Sequence, residues 1–191
     1  MKLFVFPLNE CVLHPGTSKP LNIFEPRYLK MVEDALAEQV PIALTFSDGA
    51  VPGVVAGFGV PELLEKRADG TLLIRLPGEG KARLKSVQVN VEPYLIAEGE
   101  EISENYEINA EQALAYMGLQ RRLMKWMGEH IVDVATREHF VAALSGPQAV
   151  LGAATAFLIT DGDLQQLILE ADDVNEKVGL LNGMLNYPTA T

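Results

Sequence analysis

The chain has 191 residues, 48% of them hydrophobic, and sets 15 Lys and Arg against 26 Asp and Glu for a net charge of −11 and a pI near 4.7. That apolar content suffices for a packed core, while the acidity excludes tracking along DNA, which needs clustered cations to displace counterions. A single cysteine excludes an internal disulfide and a cysteine-rich metal site, and with no run of ~18 apolar residues and no basic-then-apolar N-terminal signal, the expected setting is the cytoplasm, away from membranes.

In chain order, Phe4 to Phe6 and Cys11 to Leu13 read as short apolar strands, Pro15-Gly16 as a turn and Leu21 to Phe24 as a third apolar segment. Cys11 is then a small core residue of its strand. Pro26 suits a first helical position, where its missing N–H has no partner to lose. The helix it opens runs to about Gln39, with Tyr28, Leu29, Val32, Ala35 and Leu36 on one face and Lys30, Glu33, Asp34 and Glu38 off it. Glu25 and Arg27 flank that proline and are placed to tie the helix start to nearby backbone or to each other.

Strands are predicted at Pro41 to Phe46, Val51 to Val60, Leu72 to Leu76, Lys81 to Val89 and Val91 to Glu98, divided by Asp48-Gly49, Asp69-Gly70 and Pro77-Gly78. Alternation of Lys81, Arg83 and Lys85 about Ala82 and Leu84 predicts a solvated cationic face over an apolar one. Glu98, Glu100, Glu101, Glu104 and Glu107 predict an acidic, solubilising surface. Many short strands with one inserted helix point to a closed or partly closed barrel.

From Asn109 onward the pattern is helical. Asn109 before Gln112, Ser145 before Gln148, Asp163 before Gln166 and Asp173 before Glu176 each have the spacing of a capping box or a close relative. Ala113, Met117, Met124, Met127 and Ile131 predict the core stripe of the first of these helices, with an adaptable peptide-binding surface as the alternative for a stripe so rich in methionine. Val174, Val178, Leu181 and Leu185 predict the core stripe of the last helix, where Gly179 and Gly183 suggest a close helix approach. The expected organisation is a β-rich lobe over residues 1–107 and a helical lobe over 108–191 packed on it, with no flexible linker.

Motifs for chemistry fail on spacing. Gly78-Glu79-Gly80-Lys81 lacks the earlier glycine and the following hydroxyl of a phosphate-binding loop, since Arg75 and Ala82 stand there. His14, His130 and His139 have no helical zinc spacing, Cys11 and His14 would face opposite sides of a strand, and Ser18-Lys19 sits in a proline-flanked loop. No cofactor, no metal, no ATP binding and no hydrolysis are expected.

The block FVFPLNECVLHPGTSKPLNIFEPRY, Phe4 to Tyr28, resembles the opening of the N-terminal, substrate-selecting domain of Lon proteases. Asp69-Gly70-Thr71 followed by Leu72 to Arg83 is similar to the paired strands of that family, although Gly78-Glu79-Gly80-Lys81 departs from its commoner Gly-x-x-Arg-Phe. Leu164 to Glu170 followed by Asp173-Val174-Asn175-Glu176-Lys177 is similar to its closing segment, with lysine where arginine is commoner. The resemblance implies an α+β fold: a PUA-like, β-rich pseudo-barrel with one inserted helix, followed by a C-terminal helical bundle. It also implies a non-catalytic module for protein or peptide recognition. Because 191 residues leave no room for the ATPase and protease modules of a Lon protease, the chain reads as a stand-alone member. The partners implied are unfolded or extended polypeptide segments, together with protein partners that include protease components. Glu25, Arg27 and Tyr28, around a rigid proline corner, are the candidate peptide-binding residues. Two other readings stay open: an RNA-binding PUA-like protein, and an enzyme whose site carries no recognisable motif.

Overall fold

The computed structural model describes all residues except 10, 47–50, 89–91 and 187–191. It divides into two compact units, Met1–Ser103 and Glu104–Thr191. The first holds β1 (Lys2–Pro7), β2 (Ser18–Ile23), α1 (Pro26–Glu38), β3 (Ile42–Thr45), β4 (Val55–Gly59), β5 (Glu62–Lys66), β6 (Leu72–Pro77), β7 (Gly80–Gln88) and β8 (Leu95–Glu101). The second holds α2 (Ala113–His130), α3 (Val134–Ala143), α4 (Pro147–Leu158), α5 (Gly162–Glu170) and α6 (Val174–Asn186). The expected α+β fold, a barrel with one inserted helix followed by helices, is what forms.

Strands β1, β3, β4, β7 and β8 close into a barrel, with β1 parallel to β3 and antiparallel to β8. A parallel neighbour needs a long crossover, and β2 with α1 supplies it. β1 is buried on both faces. Leu3 and Val5 pack with Ala43, Ala56, Phe58, Ala82, Leu84 and Ala97, whereas Phe4 and Phe6 join a second cluster with residues of α1, β2 and β6. That second cluster lies under the three-stranded antiparallel sheet β2-β6-β5. The apolar face read for α1 is the buried one, through Tyr28, Met31, Val32 and Ala35.

Several local expectations change in the folded chain. Cys11 to Leu13 is not a strand: Val12 and Leu13 are buried, but the Leu13 carbonyl lies 1.8 Å from where a Cβ on Gly57 would stand, so this backbone crosses β4 instead of joining a ladder. Burial raises the thiol pKa of half-buried Cys11. Lys81 is buried, not solvated; it pairs with Gly57, on the face of β4 that the crossing segment covers. β5 escapes prediction because Glu62–Lys66 is exposed throughout and shows no apolar alternation. The Val51 to Val60 strand begins only at Val55, and β8 runs from Leu95; Val89 and Val91, the ends read for the two neighbouring strands, lie outside the described residues. Asp48-Gly49 lies outside the described residues.

In the helical unit, Leu119, Leu151, Ala154, Ile159, Ile168, Val174, Val178 and Leu181 form the core. The α6 stripe is therefore as read, with Leu185 partly buried against it. The α2 stripe is not. Leu119 and Leu123 are the buried residues of α2, while Met117 is 53% exposed. Asp173 accepts hydrogen bonds from the backbone N–H of Asn175 and Glu176, and Asn109 accepts one from Gln112 in the turn before α2. The other two starts shift: Gly146, not Ser145, is the residue before α4, and Asp161, not Asp163, caps α5 by accepting from Leu164 N–H at 3.1 Å. Around Gly179 and Gly183 a Cβ would meet no described heavy atom within 4 Å, so neither marks a close helix approach. Glu104 is not part of an acidic surface; its side chain is buried against Lys177.

Candidate functional site

The proline corner sits where β2 hands the chain to α1. Glu25 has extended backbone and makes no side-chain cap, leaving its carboxylate to Arg27, whose Nε donates to Glu25 Oε2 at 3.0 Å. The backbone carbonyl of Glu25 accepts from both Tyr28 and Leu29 N–H at 2.9 Å, which starts the helix. The Arg27 guanidinium lies 4.5 Å from the centroid of the Tyr28 ring. Tyr28 is itself buried, with its ring 4.3 Å from that of Phe6. Burial is the main reason its phenol pKa is raised, with Arg27 opposing and Glu25 adding to the shift.

A cavity of about 330 Å³ opens beside this corner. Glu25, Arg27 and Tyr28 all line it, so the structure brings the three sequence-selected residues together. Its remaining walls come from Phe6 to Asn9 at the end of β1 and from Leu21 to Phe24 at the end of β2. Phe24 is 65% exposed on this rim, a large apolar ring left in water next to an apolar concavity. Phe24 and the β1 end were not singled out from sequence. The available signal was the pair Ile23-Phe24, in which strand alternation turns one side chain in and the next one out.

The strand that leads into the cavity is also an edge. Among the described residues β2 pairs with β6 alone. Gly78 N–H donates to the Thr17 carbonyl at 2.8 Å, so by alternation the main-chain groups of Lys19, Leu21 and Ile23 turn toward β6. Those of Ser18, Pro20 and Asn22 turn outward. Pro20 fits that assignment, because a proline on the inner side would forfeit a ladder bond. The outward edge thus presents carbonyls at three positions and N–H groups at Ser18 and Asn22, the latter on the cavity wall. An extended chain could bond there and place a side chain in the cavity beside Phe24.

His130 stacks on Trp126 at 4.6 Å between ring centroids. Among the described residues no group of three His, Cys, Asp or Glu could hold a metal ion, and no helix is long and apolar enough to cross a membrane.

Against known proteins, the family described as ATP-dependent protease La (LON) substrate-binding domain matches residues 2–187. A solved Lon N-terminal domain protein from Xanthomonas campestris superposes with a TM-score of 0.72 at 23% identity, over 95% of this chain and 96% of that one. The N-terminal domain of a Mycobacterium avium complex Lon protease superposes with a TM-score of 0.74 at 16% identity, over 100% of both chains. At such identities the likeness speaks for the fold. No curated protein sequence matches.

Proposed function

Because this chain belongs to the family of LON substrate-binding domains, we propose that it is a non-catalytic module that recognises unfolded or extended polypeptide, with the cavity at the β2–α1 corner as its site. The observation that carries this reading is the junction of an outward strand edge with an apolar cavity rimmed by the exposed Phe24. A docked segment adds main-chain hydrogen bonds at Asn22 and Ser18 and seats an apolar side chain between Phe24 and the end of β1. Arg27 and Glu25 form the polar rim and hold the corner rigid. Their mutual ion pair is exposed, so its value lies in positioning more than in stability.

Binding is weak on this mechanism. An extended chain loses conformational freedom on docking, and Pro20 removes one main-chain donor from the edge, so a Kd on the order of 10 μM is expected. Low salt dependence follows from an apolar anchor and a net charge of −11 that repels polyanions. The test is a titration of a reduced, alkylated model protein against its native form, followed by calorimetry, with single-stranded RNA as a third arm. Preference for the unfolded chain supports the proposal. Equal or absent binding of both proteins up to high micromolar concentration, with RNA binding instead, overturns it in favour of nucleic-acid recognition.

A further inference from the structure

The methionine-bearing side of α2, read from sequence as core, is exposed at Met117 and only half-buried at Met124 and Met127, and it borders a second concavity. A cavity of about 250 Å³ lies among Gln120, Leu123 and Met124 of α2, Val141 of α3, Leu144 and Val150 of α4. Leu114 and Met117 continue the same side of α2 toward its start, since positions 114, 117, 121 and 124 are spaced by three and four; they are 79% and 53% exposed. Helix α3 buries none of its residues, and its Val134 and Val141 are exposed. Outside the cavity lining, but one turn after Leu123 and one residue before Val141 in sequence, Trp126 and Phe140 belong to an aromatic group in which Trp126 stacks on Phe157 at 4.6 Å between centroids and Phe140 lies 5.5 Å from Phe157. This is a row of exposed apolar side chains leading into a pocket, within one unit and at no sheet edge.

The three helices carry Arg121, Arg122, Lys125 and Arg137 against Glu129 and Glu138, with Asp133 capping α3, so this face lacks the acidic excess of the whole molecule. Arg122 bonds to Asn186, and Lys125 lies 3.8 Å from Glu129 with most of its side chain in water. Arg121 is exposed one turn before Lys125. An apolar row flanked by cations at i and i+4 is complementary to a helix with apolar residues on one side and carboxylates beside them.

We propose that this groove of α2, α3 and α4 docks an acidic amphipathic helix of a partner protein, with an apolar side chain in the 250 Å³ cavity and carboxylates against Arg121 and Lys125. An anionic bilayer fits less well. It would meet only Arg121, Arg122, Lys125 and Arg137 on a chain of net charge −11, and a bilayer surface has no side chain to place in a concavity. The groove lies in the helical unit and its occupancy does not depend on the strand-edge site.

Trp126 is the only tryptophan and follows Leu123 of the cavity lining by one helical turn, so its emission serves as a neighbouring reporter in the full chain. The probe is a synthetic, tryptophan-free helix of about 18 residues with leucines at i, i+3, i+4 and i+7 and glutamates on the flanks, and a twin with lysine for each glutamate. The glutamate peptide should titrate Trp126 saturably, and its affinity should fall about tenfold or more in Arg121→Glu/Lys125→Glu and when salt is raised. Val141→Asp should act similarly; if it fails to fold by circular dichroism, the exposed charge-reversal pair still decides. Equal binding of the lysine twin, or undiminished binding by the charge-reversed protein, overturns the proposal. So does a Trp126 response to phosphatidylglycerol vesicles when neither peptide gives one.

Discussion

Glu104 and Lys177 form an ion pair across 73 residues of sequence, with side chains only 3% and 6% exposed. Lys177 Nζ donates to one carboxylate oxygen, and the Tyr106 hydroxyl donates to the other while accepting from Gln148 Nε2 at 3.2 Å. Burial first, then the Glu104 contact, pushes the Tyr106 phenol well above its ordinary range. The pair therefore ties the segment that begins the helical unit to α6 through a shared, desolvated network.

Removing one partner leaves the other charged and buried. Glu104→Gln and Lys177→Met should each cost about 3–5 kcal/mol, whereas Glu104→Leu/Lys177→Met together should recover much of that loss, because two apolar groups leave no orphaned charge. Urea denaturation of the three variants checks this. Equal losses for the singles and the double would show that the pair itself, not the orphaned charge, carries the stability.

A second relationship sets behaviour in acid. The Tyr94 hydroxyl donates to Asp34 Oδ2 at 2.6 Å, and Lys30 donates to the same oxygen at 2.6 Å. The Lys30 bond first and the Tyr94 bond second hold the Asp34 carboxyl below its ordinary value of 3.8. A carboxylate with a depressed folded pKa contributes stability that is full above the unfolded value and is lost as pH falls through the folded one. Stability should thus drop below about pH 4, and Asp34→Asn should be less stable at neutral pH with a shallower acid limb. Tyr94→Phe should cost about 1–2 kcal/mol near neutrality. Thermal melts from pH 2.5 to 7 (roughly the span from below the Asp value to neutrality) check both.

Two glycines should respond oppositely to alanine. At Gly57 a Cβ would stand 1.8 Å from the Leu13 carbonyl oxygen, a backbone atom that cannot swing aside. Gly57→Ala should cost about 3 kcal/mol or more through displaced backbone. At Gly179, inside α6 and exposed, a Cβ meets no described atom within 4 Å. Gly179→Ala should gain about 0.5–1 kcal/mol from helix propensity and a less flexible unfolded chain. Midpoints of chemical denaturation separate the two.

Phe24 separates binding from stability. Its ring is mostly in water, so Phe24→Ser should change stability by no more than about 0.5 kcal/mol. On the proposed mechanism it should nevertheless weaken binding of an unfolded polypeptide about fivefold or more, as expected for loss of an aromatic anchor. Calorimetric titration beside a thermal melt gives both numbers. Unchanged affinity would move the site away from the β2–α1 corner.

Local periodicity and turn chemistry carried the parts of this protein that depend on near neighbours. The apolar face of α1, the α6 stripe, the Pro15-Gly16 and Asp69-Gly70 turns and the proline corner with Glu25, Arg27 and Tyr28 are all set within a few residues, and sequence suffices for them. Where two answers were locally equal, only packing decided. α2 has apolar residues on more than one side, and the core took Leu119 and Leu123, leaving Met117 in water. Lys81 and Glu104 look like surface charges until the backbone at Leu13 covers one face of β4 and Lys177 arrives from 73 residues away. The candidate cavity needs Phe6 from β1 and Leu8 just after it beside Phe24. Such contacts form between segments far apart in the chain, and no pattern within one segment encodes which distant face it will meet.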